Sequence, residues 1–292
     1  MKKKRCALKD KDGITISLIE RTIEEIKDNN VKKINVIWLE TSGCAGEIIS
    51  FLNARDPDVM YFLKEMVNLK YSNSLMASEG ERAYEQFLET LKSEFILLVD
   101  GAIPIKDNGL FNVIAKYKGK SITAMEAVSI AAKYAKYIIS VGTCASYGGP
   151  TAANPNISLG IGVSDFLDLL NKKIIKIPGC PAIPSTVTAT VANLIYFGEP
   201  ELDEDGRPIV FYGYTIHDNC PRRSYFDNKQ FAEKFGEPEC MFKLGCRGPV
   251  TKTYCPIGRW NNTDNWPIGN NTTCIGCAAQ GFPDTMQPTV RY

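Results

Sequence analysis

Tyr137-Ile-Ile-Ser-Val-Gly-Thr-Cys144 decides the fold. Its apolar, β-branched half reads as a buried strand, Gly142 ends the strand, and Cys144 follows at once. The same arrangement recurs along the chain. Ile34-Asn-Val-Ile-Trp-Leu39 runs into the turn Thr41-Ser-Gly-Cys-Ala-Gly46, and Lys173-Ile-Ile-Lys-Ile177 runs into Pro178-Gly-Cys-Pro181. Phe95-Ile-Leu-Leu-Val99 is a fourth strand, closed by Asp100-Gly101. Helical patterns lie between: Ile16 to Ile26, Glu47 to Leu52, a stretch within Met76 to Leu91, Ser121 to Lys136, and Ser164 to Leu170. Pro184 to Tyr196 is a further helix with proline in its first turn.

Strand, loop and helix in this rhythm specify an α/β chain with a doubly wound parallel sheet. Ligands of such sheets bind beyond the carboxyl ends of the strands. Cys44, Cys144 and Cys180 each stand just after a strand, so parallel strands bring all three thiols to one edge. The competing reading is three buried structural cysteines. All three stand at strand ends, each close to a glycine, which favours a shared site.

The polar, turn-rich stretch Phe197–Asp205 divides the chain into residues 1–200 and a cysteine-rich second domain, 201–292. From His217 to Cys277 this second part holds Cys220, Cys240, Cys246, Cys255, Cys274 and Cys277 together with the protein's single histidine. Gly, Pro and Asn dominate between them, and little apolar pattern is present to fold around. Bonds to an inorganic centre would supply that cohesion. A disulfide framework, structural zinc and iron–sulfur clusters all compete for these residues. Zinc accommodates His217, Cys220, Cys274 and Cys277 but leaves Cys240, Cys246 and Cys255 over. Iron–sulfur clusters use every residue, as one four-ligand and one three-ligand set.

Composition narrows the function. The 292 residues carry 34 basic and 33 acidic side chains, net charge +1, which argues against a nucleic-acid surface. No apolar run is long enough for a bilayer span, and no export leader is read, which places the protein in the cytoplasm as an expectation. Cys6 and the Lys-rich start read as bystanders. No second histidine and no paired carboxylates at a motif offer acid–base chemistry.

Taken together, Trp38-Leu39 with Cys44-Ala-Gly46, Val141-Gly-Thr-Cys144, Pro178-Gly-Cys-Pro181, His217-Asp-Asn-Cys220, Leu244-Gly-Cys-Arg-Gly-Pro249, Trp260-Asn-Asn262 and Cys274-Ile-Gly-Cys277 resemble the small, electron-transferring subunit of NiFe hydrogenases. The resemblance runs nearly end to end. It implies a flavodoxin-like first domain and a smaller, irregular iron–sulfur domain. It implies a proximal cluster on Cys44, Cys144 and Cys180, a medial cluster on Cys255, Cys274 and Cys277, and a distal 4Fe-4S cluster on His217, Cys220, Cys240 and Cys246. With Pro267 where relatives place a fourth thiolate, the medial cluster is expected to be 3Fe-4S. It also implies a large-subunit partner carrying nickel and iron, a dimer of such heterodimers, and an acceptor the sequence does not specify. Ser50-Phe-Leu-Asn-Ala54 resembles the cytosolic uptake branch, and a hydrogen-sensing relative is the alternative. One departure stands out. Where the family commonly has a fourth proximal cysteine, this chain has Glu47. Its carboxylate either completes a 4Fe-4S cluster or turns away from a 3Fe-4S cluster, and three thiolates favour the second.

Overall fold

The computed structural model describes residues 32–55, 57–168 and 172–285. The expected helix at Ile16–Ile26, Cys6 and the Lys-rich start lie outside these residues. Five strands form the central sheet: β1 (Ile34–Glu40), β2 (Val67–Ser72), β3 (Phe95–Asp100), β4 (Tyr137–Val141) and β5 (Ile174–Ile177). Their order is β2-β1-β3-β4-β5 and every pairing is parallel, the flavodoxin-like doubly wound arrangement.

The register explains why the strands are apolar on both faces. Trp38 pairs with Leu98, Leu98 with Ile139 and Ile139 with Ile175, one continuous row across the sheet. That row packs with Ile48 and Phe51 of α1 (Gly46–Leu52) and with Val187 and Val191 of α5 (Pro184–Tyr196). Alternate residues, Ile37, Leu39, Leu97 and Val99, face the other way. They meet Phe87 of α2 (Gly80–Thr90) and Ala127 and Ala131 of α3 (Ala124–Tyr134). A sheet covered on both faces needs the near-continuous apolar runs seen in the sequence. In β3 all six residues are buried.

Two helices carry the chain from the sheet to the cysteines. Helix α4 (Gly142–Tyr147) starts directly at the end of β4 and places Cys144 in its first turn. Helix α5 follows the Cys180 loop and is buried almost all round. Its threonines cost little there, because Thr186 donates to the Ile183 carbonyl at 2.7 Å and Thr190 to that of Thr186 at 2.7 Å.

Three elements differ from the sequence reading. Strand β2 is absent from that reading: Val67-Asn-Leu-Lys-Tyr-Ser72 is an edge strand whose middle is half-exposed and half polar. The helix expected from Ser121 begins at Ala124, because Thr123 and Glu126 form a reciprocal capping box. Residues Lys120–Thr123 pair instead with Val113–Tyr117 as a hairpin. The helix expected from Ser164 to Leu170 is present as Val163–Leu167, and residues 169–171 lie outside the described residues.

Beyond α5 the character changes. Residues 209–270 form short turns of helix: Ile209–Tyr212, Ile216–Asn219, Arg223–Asp227, Met241–Leu244, Gly248–Val250, Cys255–Gly258 and Ile268–Asn270. Ile183, Ile216, Met241, Trp266 and Ile268 form a small apolar cluster there, and Cys255 and Cys274 belong to it. No helix among the described residues is long and apolar enough to cross a membrane.

Candidate metal-cluster sites

At the carboxyl edge of the sheet, the turn after β1 carries Cys44, the first turn of α1 carries Glu47, α4 carries Cys144, and the loop after β5 carries Cys180. Cys144, Glu47 and Cys44 each act electrostatically on Cys180, and Glu47 and Cys44 act on Cys144. Cys44 is exposed and the other two thiols are half-buried. Gly46 N–H donates to the Cys44 sulfur at 3.3 Å, and the Thr151 hydroxyl donates to the Cys144 sulfur at 3.4 Å. Burial pushes the Cys180 thiol up to about 12 and also raises Cys144.

Glu47 is drawn inward. Its Oε2 accepts the Ala182 N–H at 2.9 Å. Its Oε1 lies against Gly142, where a Cβ would collide with the carboxylate; the φ of +85° there also favours glycine. Burial lifts the Glu47 carboxyl to about 8, against the Ala182 hydrogen bond and helped by nearby Asp100. Burial likewise lifts Asp100 to about 7, although Trp38 Nε1 donates to its Oδ2 at 3.0 Å.

Two cavities follow in line. The first, of about 390 Å³ including its open mouth, is walled by Cys255, Cys274, Cys277 and Pro267, and on its sheet side by Gly179 and Pro181. The three thiols are buried and each is pushed up to about 12, chiefly by desolvation. The second, of about 310 Å³ on the same measure, is walled by His217, Cys220, Cys240 and Cys246. Ile268 forms part of both walls. The described cysteines, Glu47 and His217 thus fall into three groups, two of them lining cavities that share Ile268.

These walls fit polynuclear clusters better than the competing readings. The nine described cysteines are all free, so no disulfide framework joins them. Among the described residues no three His, Cys, Asp or Glu side chains close around a point as a single ion would require. Tetrahedral zinc needs its donors about 2.0–2.3 Å from one centre. His217 Nε2 is buried with no hydrogen-bond partner, a condition that costs about 1–3 kcal/mol unless something binds it. Burial and the Arg223 guanidinium hold the imidazole below its ordinary range, so it is neutral and able to ligate.

Some supporting residues escape the sequence reading. Arg222 is buried; its Nη1 donates to the carbonyls of Glu237 and Glu239 at 2.6 and 2.8 Å, and its Nη2 to Asn271. It thereby ties the Cys240 loop to the segment before Cys274. Phe226 packs edge-on against His217, 4.4 Å between ring centres, and itself meets Phe231 and Phe242. The signal for Arg222 is its place two residues after Cys220; nothing local marks its partners.

Comparison with known proteins shows the family. The family model for the C-terminal part of the NiFe/NiFeSe hydrogenase small subunit matches residues 212–290, and that of the NADH ubiquinone oxidoreductase 20 Kd subunit matches 44–194. The periplasmic NiFeSe hydrogenase small subunit of Desulfomicrobium baculatum is 38% identical over 94% of this chain and 93% of its own length. The chain belongs to the NiFe/NiFeSe hydrogenase small-subunit family. The periplasmic NiFe hydrogenase small subunit of Solidesulfovibrio fructosivorans is 37% identical, covering 87% of this chain and 80% of that one. Among solved structures, the reduced, active Ni-Fe-Se hydrogenase of D. baculatum superposes with a TM-score of 0.84 at 37% identity, over 89% of this chain and 100% of that chain.

The relatives correct one expectation. Both of the named small subunits are periplasmic, which overturns the cytoplasmic placement read from the sequence. That placement rests on finding no export leader. A leader is a processing segment removed from the mature protein, so a sequence without one does not fix the compartment.

Proposed function

We propose that this chain is the electron-relaying subunit of a hydrogenase. It would receive electrons from a nickel–iron site on a large-subunit partner, where hydrogen is oxidised, and pass them to an external acceptor. Cys44, Cys144 and Cys180 would hold a proximal cluster, Cys255, Cys274 and Cys277 a medial one, and His217, Cys220, Cys240 and Cys246 a distal 4Fe-4S cluster. Such clusters, when bound, take up and release one electron at a time.

The observation that carries this reading is the pair of adjoining cavities, each walled by one complete ligand set and sharing Ile268. The Gly179 and Pro181 wall continues the line to the sheet edge, where the third set stands. The chain's own residues bury and orient the sulfurs. Hydrogen bonds from Gly46 N–H, Gly276 N–H and the Thr151 hydroxyl favour negative charge on Cys44, Cys274 and Cys144. Pro267 in the medial wall offers no side-chain donor, which supports a 3Fe-4S occupant. We read Glu47 as a protonated, hydrogen-bonded neighbour of a proximal 3Fe-4S cluster. Its carboxylate is already engaged by Ala182 and its carboxyl lies at about 8.

We also assign residues 1–200 to the sheet domain and 201–292 to the cluster domain. The change from sheet to short helical turns after α5 supports that division. Pairing of two heterodimers rests on the family resemblance alone. The test is anaerobic purification with the partner, followed by iron, sulfide and nickel analysis and hydrogen-dependent dye reduction. Iron, sulfide and nickel together with dye reduction support the assignment; an iron-free, zinc-bearing chain overturns it.

A further inference from the structure

Thr143 sits between Gly142 and Cys144, and its side chain is buried at 1% exposure. Its backbone N–H donates to the Gly179 carbonyl at 2.8 Å. Its hydroxyl oxygen accepts the Gly179 N–H at 3.0 Å and donates its own proton to the Cys277 carbonyl. A hydroxyl has one proton to give, and here it is given across 134 residues of sequence. One side chain thus joins three ligand-bearing segments: that of Cys144, that of Cys180 and that of Cys277.

The contact it secures lies between ligands of two different sets. The Cys180 amide lowers the Cys277 thiol against the effect of burial, so the two segments stand side by side. The next junction repeats the pattern. The Cys274 amide acts on the Cys246 thiol in the same sense, and the Arg247 N–H donates to the Cys274 carbonyl at 2.9 Å. Successive ligand segments are therefore fastened to one another at both steps, the second by the Arg247 N–H and the Arg222 side chain, the first by the Thr143 hydroxyl.

We propose that Thr143 is a positioning residue whose hydroxyl clamps the Cys180 loop onto Cys277, holding the Cys180 amide beside the Cys277 sulfur and so coupling the proximal ligand set to the medial one. The inference rests on the assignment of those two sets as cluster ligands. A hydrogen bond to a ligand sulfur stabilises the reduced, more negative centre and raises its potential. It also offers electrons a short route from one ligand to the next. Valine at 143 keeps the shape of threonine but leaves the Gly179 N–H and the Cys277 carbonyl without their buried partner.

The experiment uses the intact complex with its large subunit, as wild type, Thr143→Val and Thr143→Ser. Three quantities are read: iron content, the midpoint potential of the medial signal by electron paramagnetic resonance, and hydrogen-dependent dye reduction against isotope exchange at the partner's site, which needs no relay. Thr143→Val should keep its iron and its isotope exchange, move the medial signal to lower potential, and slow dye reduction about 10–100-fold. Thr143→Ser should restore both. A fully loaded Thr143→Val complex with wild-type potential and dye reduction overturns the proposal, as does a serine variant no better than valine. An iron-free wild-type complex would instead overturn the cluster assignment beneath it. If Thr143→Val does not assemble, amide exchange in the wild-type complex decides: the Gly179 and Cys180 amides should be among the slowest, and rapid exchange there contradicts the clamp.

Discussion

The interior around β3 and the interior around Ile268 are built on opposite principles. In the first, Phe95 to Val99 are fully buried between two layers of helices, and apolar contact with strand pairing accounts for cohesion. In the second, Ile183, Ile216, Met241, Trp266 and Ile268 are few, and Cys255 and Cys274 are themselves part of the packing. The proposed ligands there are also the core. The sheet should therefore keep its shape without metal, whereas the segment after α5 should depend on what its cysteines bind.

The sharpest way to break this contrast is to remove a proposed medial ligand. Cys274→Ala should abolish hydrogen-dependent dye reduction and expose residues 209–285 to protease, while amides of β1, β3 and β4 stay protected. Hydrogen exchange followed by mass spectrometry reads both regions at once. Equal loss of protection in the sheet would show that the two interiors are not independent. The reciprocal change is Phe87→Ala, which empties a fully buried site under the sheet. It should cost about 3–5 kcal/mol in denaturant unfolding while leaving the iron content unchanged.

A smaller effect separates the two regions by pH. Asp100, at the end of β3, titrates at about 7 in the folded chain against 3.8 for an unperturbed aspartate, because burial disfavours its charge. Between those values the folded state binds more protons than the unfolded state. Stability then falls as pH rises through that window, and the loss is complete above about pH 7. Asp100→Asn, which keeps a carbonyl for Trp38 Nε1, should flatten the fall seen in thermal unfolding. An unchanged slope would mean that Asp100 is not held neutral. Smallest in stability, but specific to the far cavity, is His217→Cys. Replacing a neutral imidazole by an anionic thiolate should lower the potential of the distal signal alone. No shift would argue that His217 is not a ligand.

The same contrast governs what can be read from sequence. Strands β1, β3, β4 and β5 announce themselves because a sheet covered on both faces demands uninterrupted apolar runs. Helix α5 is legible to the residue, since Pro184 starts it and Phe197-Gly198 follows its last turn. Strand β2 is not, because Asn68 and Lys70 interrupt its pattern at the sheet edge. The start of α3 is hidden because the capping side chains Thr123 and Glu126 outrank the apolar period that reaches back to Ser121. The cysteines and His217 stand out by residue type and by their places after strands. Thr143, Arg222 and Ile268 do not, since each acts on partners that only the fold brings near.

The proposed electron relay requires three ligand sets standing in succession along one chain, each holding its own iron–sulfur cluster. Mössbauer spectroscopy of the iron-57-enriched, anaerobically purified complex, with iron and sulfide counted per small subunit, bears on this without intermediate steps. Three separable cluster components are expected, of which the distal one changes in the His217→Cys variant and the medial and distal ones are both lost with Cys274→Ala. Fewer than three components, or iron confined to the partner subunit, would contradict it.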